Sequence, residues 1–315
     1  MHVVSIYNNK GGVGKSTLTV GIAEFLASNR KKKGLIIDLD AQASSSSALL
    51  GRTPLAEAIQ NRKTLADLID EIARTRSILT SPSDFLLVRP ASSARGTALG
   101  SISLLVSEKE RMFDLEERLD RVRDATLLRD CVKPGLTGFD YVLIDTPGNV
   151  DRRCKIVVAG LIMSDFVVIP IEPHQITLHA LPATFDLIHY ARELGGDSHP
   201  QVLGMILNKT DKRTEQYRSK LPPILRVVAK GELPPIFENI LPDTPKLASA
   251  TDETRDPNTL KDRFDTYYDN VRKVARELEE RCEGRIPPHP TSVRFGQRIR
   301  DVLDLFARGK QPLTG

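Results

Sequence analysis

Short apolar runs and longer amphipathic stretches alternate along the 315 residues. The runs at 3–7, 35–39, 85–88, 141–145, 166–169 and 202–207 are rich in Val, Ile or Leu, as strands covered on both faces are. Stretches at 16–28, 64–74, 108–129, 176–194 and 259–282 read as helices. This alternation predicts an α/β fold with a doubly wound, mainly parallel sheet flanked by helices. It also predicts one domain over 1–283 and a helical C-terminal extension over 284–315. Thr64 followed by Asp67 resembles a capping box. The serines at 44–47 read as a polar connection or a weak cap. The region 51–138 is the least legible: residues 75–103 mix Ser, Pro and Gly with short apolar pieces and predict a long loop. No internal repeat is visible.

Hydrophobic residues make up 40% of the chain and charged residues 27%, which is ordinary for a globular domain. The longest apolar stretches, 156–163 and 166–171, are too short to span a bilayer. The chain opens directly into its first strand, so no signal or transit peptide is expected. Cys131, Cys154 and Cys282 are odd in number and widely spaced, which predicts neither a disulfide framework nor a metal site and points to a reducing, cytosolic compartment. A net charge of +4 does not by itself imply nucleic acid, but it permits a local basic patch. The segment 205–230 is such a patch, with Lys209, Lys212, Arg213, Arg218, Lys220, Arg226 and Lys230 against Asp211 and Glu215.

Behind the first apolar run stands NNKGGVGKST at 8–17. A strand entering a Gly-rich turn and then a helix makes a phosphate cradle, because converging backbone N–H groups and the helix dipole favour an anion. Lys15 is placed to reach the β- and γ-phosphates, and the Ser16 hydroxyl to ligate Mg²⁺. The general phosphate-loop pattern wants glycine six residues before the lysine. Asn9 stands there instead, followed by a second lysine, Lys10. This string resembles the deviant Walker A motif of the ParA/MinD family of dimeric ATPases. The resemblance implies that Lys10 reaches across a subunit interface, that Lys15 acts in its own subunit and that Ser16 holds the metal. It implies nucleotide contacts from Gly11, Gly12, Val13, Gly14 and Thr17 as well.

Two further strings extend the resemblance. IIDLDAQAS at 36–44 is similar to the family's DLDPQ signature, with Ala41 in place of proline. It implies that Asp40 positions the attacking water and that Asp38 supports Mg²⁺. YVLIDTPG at 141–148 reads as a Walker B strand running into a switch loop, with Asp145 on Mg²⁺ and Gly148 free to rearrange. LNKTD at 207–211 is double-edged. It matches the NKxD element by which many GTPases read guanine, and DTPG fits their DxxG, so a related GTPase remains an alternative. ParA-like proteins place an Asn at this strand end against adenine, a role that fits Asn208 and favours ATP. ILPDTPKLASA at 240–250 resembles their adenine-side loop and adds Pro242 and Asp243, and IEPHQITLHAL at 171–181 resembles the stretch after their fifth strand.

What the resemblance implies is an ATP-dependent homodimer with slow intrinsic hydrolysis, cytoplasmic and nucleoid-associated, serving plasmid or chromosome partition or cargo positioning. The dimer would bind DNA non-specifically and be switched by a ParB-like adaptor. Arg272 and Lys273 join the basic segment as candidate DNA contacts. A MinD-like membrane role is the alternative. The tail 291–310 carries Phe295, Ile299, Val302 and Phe306 at helical spacing with Arg294, Arg298, Arg300 and Arg308, although Asp301 and Asp304 weigh against it. A cluster-binding redox role would need bridging cysteines, and Cys131 and Cys154 lack that context.

Overall fold

Strands β1 (His2–Ile6), β2 (Gly34–Asp38), β3 (Leu87–Arg89), β4 (Ile102–Leu105), β5 (Tyr141–Asp145), β6 (Phe166–Ile171) and β7 (Gln201–Leu207) form one sheet. Their spatial order is β3-β4-β2-β5-β1-β6-β7, and every pair is parallel except β3 with β4. This computed structural model describes residues 1–75, 81–93, 98–120, 123–173, 180–196 and 199–286. The tail and its amphipathic pattern therefore lie outside the described residues, as does most of 171–181 and the side chain of Lys220.

The helices are α1 (Lys15–Asn29), α2 (Ser44–Leu50), α3 (Arg52–Gln60), α4 (Leu65–Thr75), α5 (Lys109–Arg118), α6 (Lys155–Met163), α7 (Leu181–Gly195), α8 (Glu215–Ala229), α9 (Pro245–Ala248), α10 (Leu260–Phe264) and α11 (Tyr268–Cys282). Successive strand residues divide between two apolar layers, as the pleat requires. Val3, Leu35, Ile37, Val142 and Ile144 pack with α4, α6 and α7 on one face. Val4, Ile6, Ile36 and Leu143 pack with α1, α10 and α11 on the other. The doubly wound architecture predicted from the alternation is thus the one observed.

Register fixes what matters for the site. Ile6 of β1 and Asp38 of β2 both lie opposite Asp145 of β5. Three adjacent parallel strands therefore end at one level, and two of them end in a carboxylate.

Several elements differ from the sequence reading. The expected loop at 75–103 runs into β4 at Ile102 and Ser103, and this strand pairs in parallel with β2 over Gly34–Ile37. The run at 85–88 is split between a 3-10 turn, Pro82–Phe85, and the antiparallel edge strand β3. The helix expected over 108–129 stops at Arg118, because Leu119 adopts an extended conformation. The one expected over 259–282 is broken at Asp265, whose φ is 53°. Helix α6 was read only as an apolar run: it is buried from Ile156 to Met163 and has no polar stripe to show a helical period. Helix α8 runs through Pro222 and Pro223, which hide it from propensity. The capping box at α4 forms as expected, with Asp67 N–H on Thr64 Oγ1 at 3.3 Å and Thr64 N–H on Asp67 Oδ2 at 3.1 Å.

Between the core's second layer and the sheet edge lies a buried ionic cluster. Glu24 of α1, fully buried, accepts from Arg89 Nη2 of β3 at 2.6 Å and faces Arg263 Nε of α10 at 3.1 Å. Arg263 also donates to the carbonyls of Ala48 and Ala250, so one cluster joins α1, α2, α10 and the edge strand. Removing the carboxylate would leave two guanidiniums in the interior without a counter-charge. Glu24→Ala should therefore cost about 3–5 kcal/mol in urea unfolding. Arg153→Ala, which breaks an exposed pair with Asp151, should leave the midpoint where it is.

Candidate nucleotide site

Residues 7–14 connect β1 to α1 and turn sharply at two glycines, with Gly12 at φ 77° and Gly14 at φ 82°. At Gly14 a side chain is doubly forbidden, because its Cβ would fall on the Asn208 amide. Asn208, at the end of β7 and nearly buried, donates from Nδ2 to the Val13 carbonyl at 2.7 Å. Lys209 follows with its ammonium on the Gly12 carbonyl. The NKTD segment thus braces the Gly-rich turn from the side. Asp211 of the same segment is taken up by Arg213, which donates to it from its backbone N, Nε and Nη2 at 2.9–3.0 Å and holds its carboxyl down to about 2.

Lys15 opens α1 and is 7% exposed. Its ammonium turns back into the loop and donates to the carbonyls of Asn8 at 3.2 Å and Lys10 at 3.0 Å. Burial lowers its pKa, and the charges of Asp145 and Asp40 oppose that drop. Lys10 behaves differently. Its ammonium extends to Glu172 Oε2 at 3.4 Å, just past β6, and Glu172 Oε1 stands 3.6 Å from Lys209 Nζ.

Asp38 and Asp145 are both fully buried. Asp38 Oδ2 accepts from the hydroxyls of Ser45 at 2.9 Å and Ser46 at 2.7 Å and from Ser46 N–H at 3.1 Å. The first turn of α2, made from the serine run read as a polar connection or a weak cap, is therefore a holder for this carboxylate. Asp145 Oδ1 accepts from Thr19 Oγ1 of α1 at 3.4 Å, while its Oδ2 is buried without a hydrogen-bond partner. Burial pushes both carboxyls up, Asp145 to about 7, and Asp38's charge raises Asp145 further, while the hydroxyls of Ser16 and Ser45 favour its ionised form. An orphaned carboxylate oxygen beside a serine hydroxyl is an all-oxygen donor set of the kind Mg²⁺ takes, so the residues present fit that ion. Among the described residues no group of three or more His, Cys, Asp or Glu could hold a metal by itself.

Asp40 is half-buried. It donates its N–H to Asp38 Oδ1 at 3.1 Å and accepts Gln42 N–H at 2.9 Å, and its carbonyl takes the Ser107 hydroxyl. Pro242 and Asp243 lie in a segment that runs beside the end of β7: Leu241 N–H donates to Leu207 O at 2.9 Å, and Asp243 N–H to Thr210 O at 3.3 Å. The switch loop after β5 crosses directly over the phosphate loop. A Cβ on Gly148 would lie 2.7 Å from Gly11 N and 2.8 Å from Gly11 Cα. Past this loop, Glu116 of α5 accepts the N–H groups of Lys155 and Ile156, each at 2.8 Å, and so caps α6 from another element.

The basic candidates have different surroundings. Lys209 is engaged at the cradle, and Arg213 forks onto Asp211. Lys212 and Arg218 are exposed near the start of α8. Arg272 and Lys273 line a separate groove of about 290 Å³ with Phe25, Asn29, Arg30 and Arg276. That groove lies at the C-terminal end of α1, about 20 Å along the helix from Lys15. A larger groove, about 680 Å³, lies between α4 and α5 among alternating Arg and Asp side chains, and no cradle residue lines it. Cys131 and Cys154 are half-buried and Cys282 buried, with burial pushing the Cys154 thiol up to about 12.

The family described as AAA domain matches residues 1–198. The chromosome-partitioning ATPase Soj of Treponema pallidum is 27% identical over 244 residues, which is 77% of this chain and 83% of Soj. The pNOB8 ParA structure superimposes with a TM-score of 0.68 at 22% identity, covering 90% of this chain and 99% of that one, and a second structure of pNOB8 ParA bound to nonspecific DNA gives 0.62. Cobyrinic acid a,c-diamide synthase of Mycobacterium smegmatis, with ADP and magnesium, gives 0.67 at 19% identity over 92% of this chain and 99% of its own. The structural likenesses establish the fold, which a synthase and a partition protein share.

The buried acidic pair has a measurable signature. Carboxyls raised in the folded protein give their full contribution to stability below the unfolded carboxyl range near pH 4 and lose it as pH rises to about 7. Without added nucleotide, Asp145→Asn should therefore raise the melting temperature at pH 8 by roughly 5 °C. The gain should shrink steadily towards pH 4 in a thermal unfolding series.

Proposed function

This chain belongs to the AAA-domain family, as a ParA/MinD-type P-loop ATPase, and on that premise we propose that it is a partition or positioning ATPase that closes into a dimer around ATP. The observation that carries the reading is the division of labour between two lysines. Lys15 lies buried within its own loop, whereas Lys10 projects past it to Glu172. Two cationic groups on one Gly-rich turn, only one of them turned inward, suit a cradle completed by a second copy.

In this reading Lys15 and the amides of Gly11–Thr17 bind the phosphates of their own subunit, and Lys10 neutralises charge on the partner's γ-phosphate. Ser16 and Asp145 would hold Mg²⁺, with Asp38, fixed by Ser45 and Ser46, in support. Bound there, the ion would supply charge neutralisation for the phosphates. Asp40 orients the attacking water. Asn208, with Pro242 and Asp243 beside it, forms the adenine side. What binds only at the closed interface shifts the monomer–dimer balance, so ATP would act as a switch and hydrolysis, slow until an adaptor of ParB type engages, as a timer. ATP is favoured over GTP because Asp211, on which guanine reading would depend, is occupied by three donors of Arg213.

DNA binding is taken to belong to the ATP state; a chromosome-partitioning relative and a ParA of this fold bound to nonspecific DNA support DNA as a partner. Its contacts would come from Lys212, Arg213, Arg218 and Lys220 or from Arg272 and Lys273, with Lys209 reaching DNA only by leaving the cradle. Nucleoid association in the cytoplasm would follow. Among the described residues no helix is long and apolar enough to cross a membrane. A MinD-like surface attachment would rest on the tail after 286.

Light scattering with ATP, together with turnover, tests the reading. Lys10→Ala should leave the protein monomeric with ATP and lower turnover by about 100-fold, with ADP affinity retained. Unchanged dimerisation and turnover, or tighter binding of GTP than of ATP, would overturn it.

A further inference from the structure

Where a conventional phosphate loop has glycine, this chain has a side chain, and the structure gives that side chain a task. The Asn9 carbonyl accepts Asn149 N–H at 2.5 Å, and its Oδ1 accepts Val150 N–H at 2.8 Å. Its own N–H donates to Thr184 Oγ1 of α7 at 3.0 Å, and Thr184 is fully buried. Three elements are thus tied through one residue: the phosphate loop, the switch loop and α7.

The switch loop is shaped to be held there. Gly148 approaches the backbone of Lys10 and Gly11 too closely for any side chain, with a Cβ landing 2.9 Å from Lys10 C. Asn149, the next residue, has φ 58°, a left-handed conformation that asparagine tolerates better than most non-glycine residues. Beside this crossing lies a cleft of about 470 Å³ lined in part by Asn9, Val150, Arg152 and Asp186.

We propose that Asn9 is a positioning residue for the ATPase reaction, coupling the switch loop to the lysine that follows it in sequence. The inference rests on the ATPase reading above. A displacement of Gly148–Val150 must either break the two bonds to Asn9 or carry Asn9 with it. Lys10 is the next residue, and its ammonium is the group proposed to act on the partner's phosphate. A glycine at position 9 could keep the carbonyl bond but would lack the Oδ1 acceptor, so part of the coupling is particular to a side chain here.

Hydrogen exchange and kinetics together test this. Without added nucleotide, Asn9→Ala should lose amide protection at Val150, read on a peptide covering 146–153. Its kcat for ATP should fall about tenfold with KM within about threefold of wild type, since a misplaced group costs rate more than ground-state binding. Asn9→Asp, which keeps an acceptor oxygen at the same reach, should restore the protection. Thr184→Val removes the α7 acceptor together with that hydroxyl's bonds to Ala180 O and Asn8 Oδ1, and should raise exchange at Asn9 itself, which serves if Asn9→Ala does not fold. Unaltered protection and kcat in Asn9→Ala, with wild type turning over, would overturn the inference alone. Wild-type protein that neither binds nor hydrolyses ATP would instead remove the reading beneath it.

Discussion

The constraint on which this molecule turns is electrostatic. Parallel register sets Asp38 and Asp145 side by side at the ends of neighbouring strands, in the dry interior, where neither charge is welcome. Fully satisfied, such a pair would only be a structural curiosity. Here Asp38 is well supplied by Ser45 and Ser46, while Asp145 keeps one oxygen without a donor. The fold thus keeps a carboxyl oxygen without a donor at the end of β5, next to the strand that leads into the Gly-rich turn. In the proposed reading a cation and a polyanion together would answer both demands, and the turn and the acidic pair would then form one site.

The second organising feature is crowding. Two loops cross at Gly11 and Gly148 with no room for a methyl group on Gly148, and Asn208 presses on Gly14 from the side. The phosphate loop is therefore braced by β7, by the loop after β5 and by α7 at once. Packing of this density favours discrete arrangements over gradual deformation.

Much of this was legible in sequence because its chemistry is local. A Gly-rich turn between a strand and a helix, an Asp ending a Val/Ile/Leu strand, and a Thr three residues before Asp each declare themselves within a few residues. What escaped depends on partners far along the chain. Strand β4 sits among Ser, Pro and Gly and is recognisable only by its pairing with β2. The serines at 44–47 gained meaning only once Asp38 was seen to lie under them, although their place just after DLDAQ was a usable signal. Thr19, Ser107 and Thr184 have no motif at all; they were placed by the crossing of elements, as was the contact of Glu172 with Lys10. The basic segment shows the opposite, since neighbours in sequence take different partners: Lys209 sits on the Gly12 carbonyl and Arg213 on Asp211.

Glu116 carries a consequence of its own. It sits on α5, in the stretch of chain with the weakest motifs, yet its carboxylate holds the first turn of α6, which follows the switch loop within a few residues. The same helix lends Arg111 and Arg118 to the charged groove beside α4. A partner seated in that groove would therefore pull on the same helix that holds the start of α6.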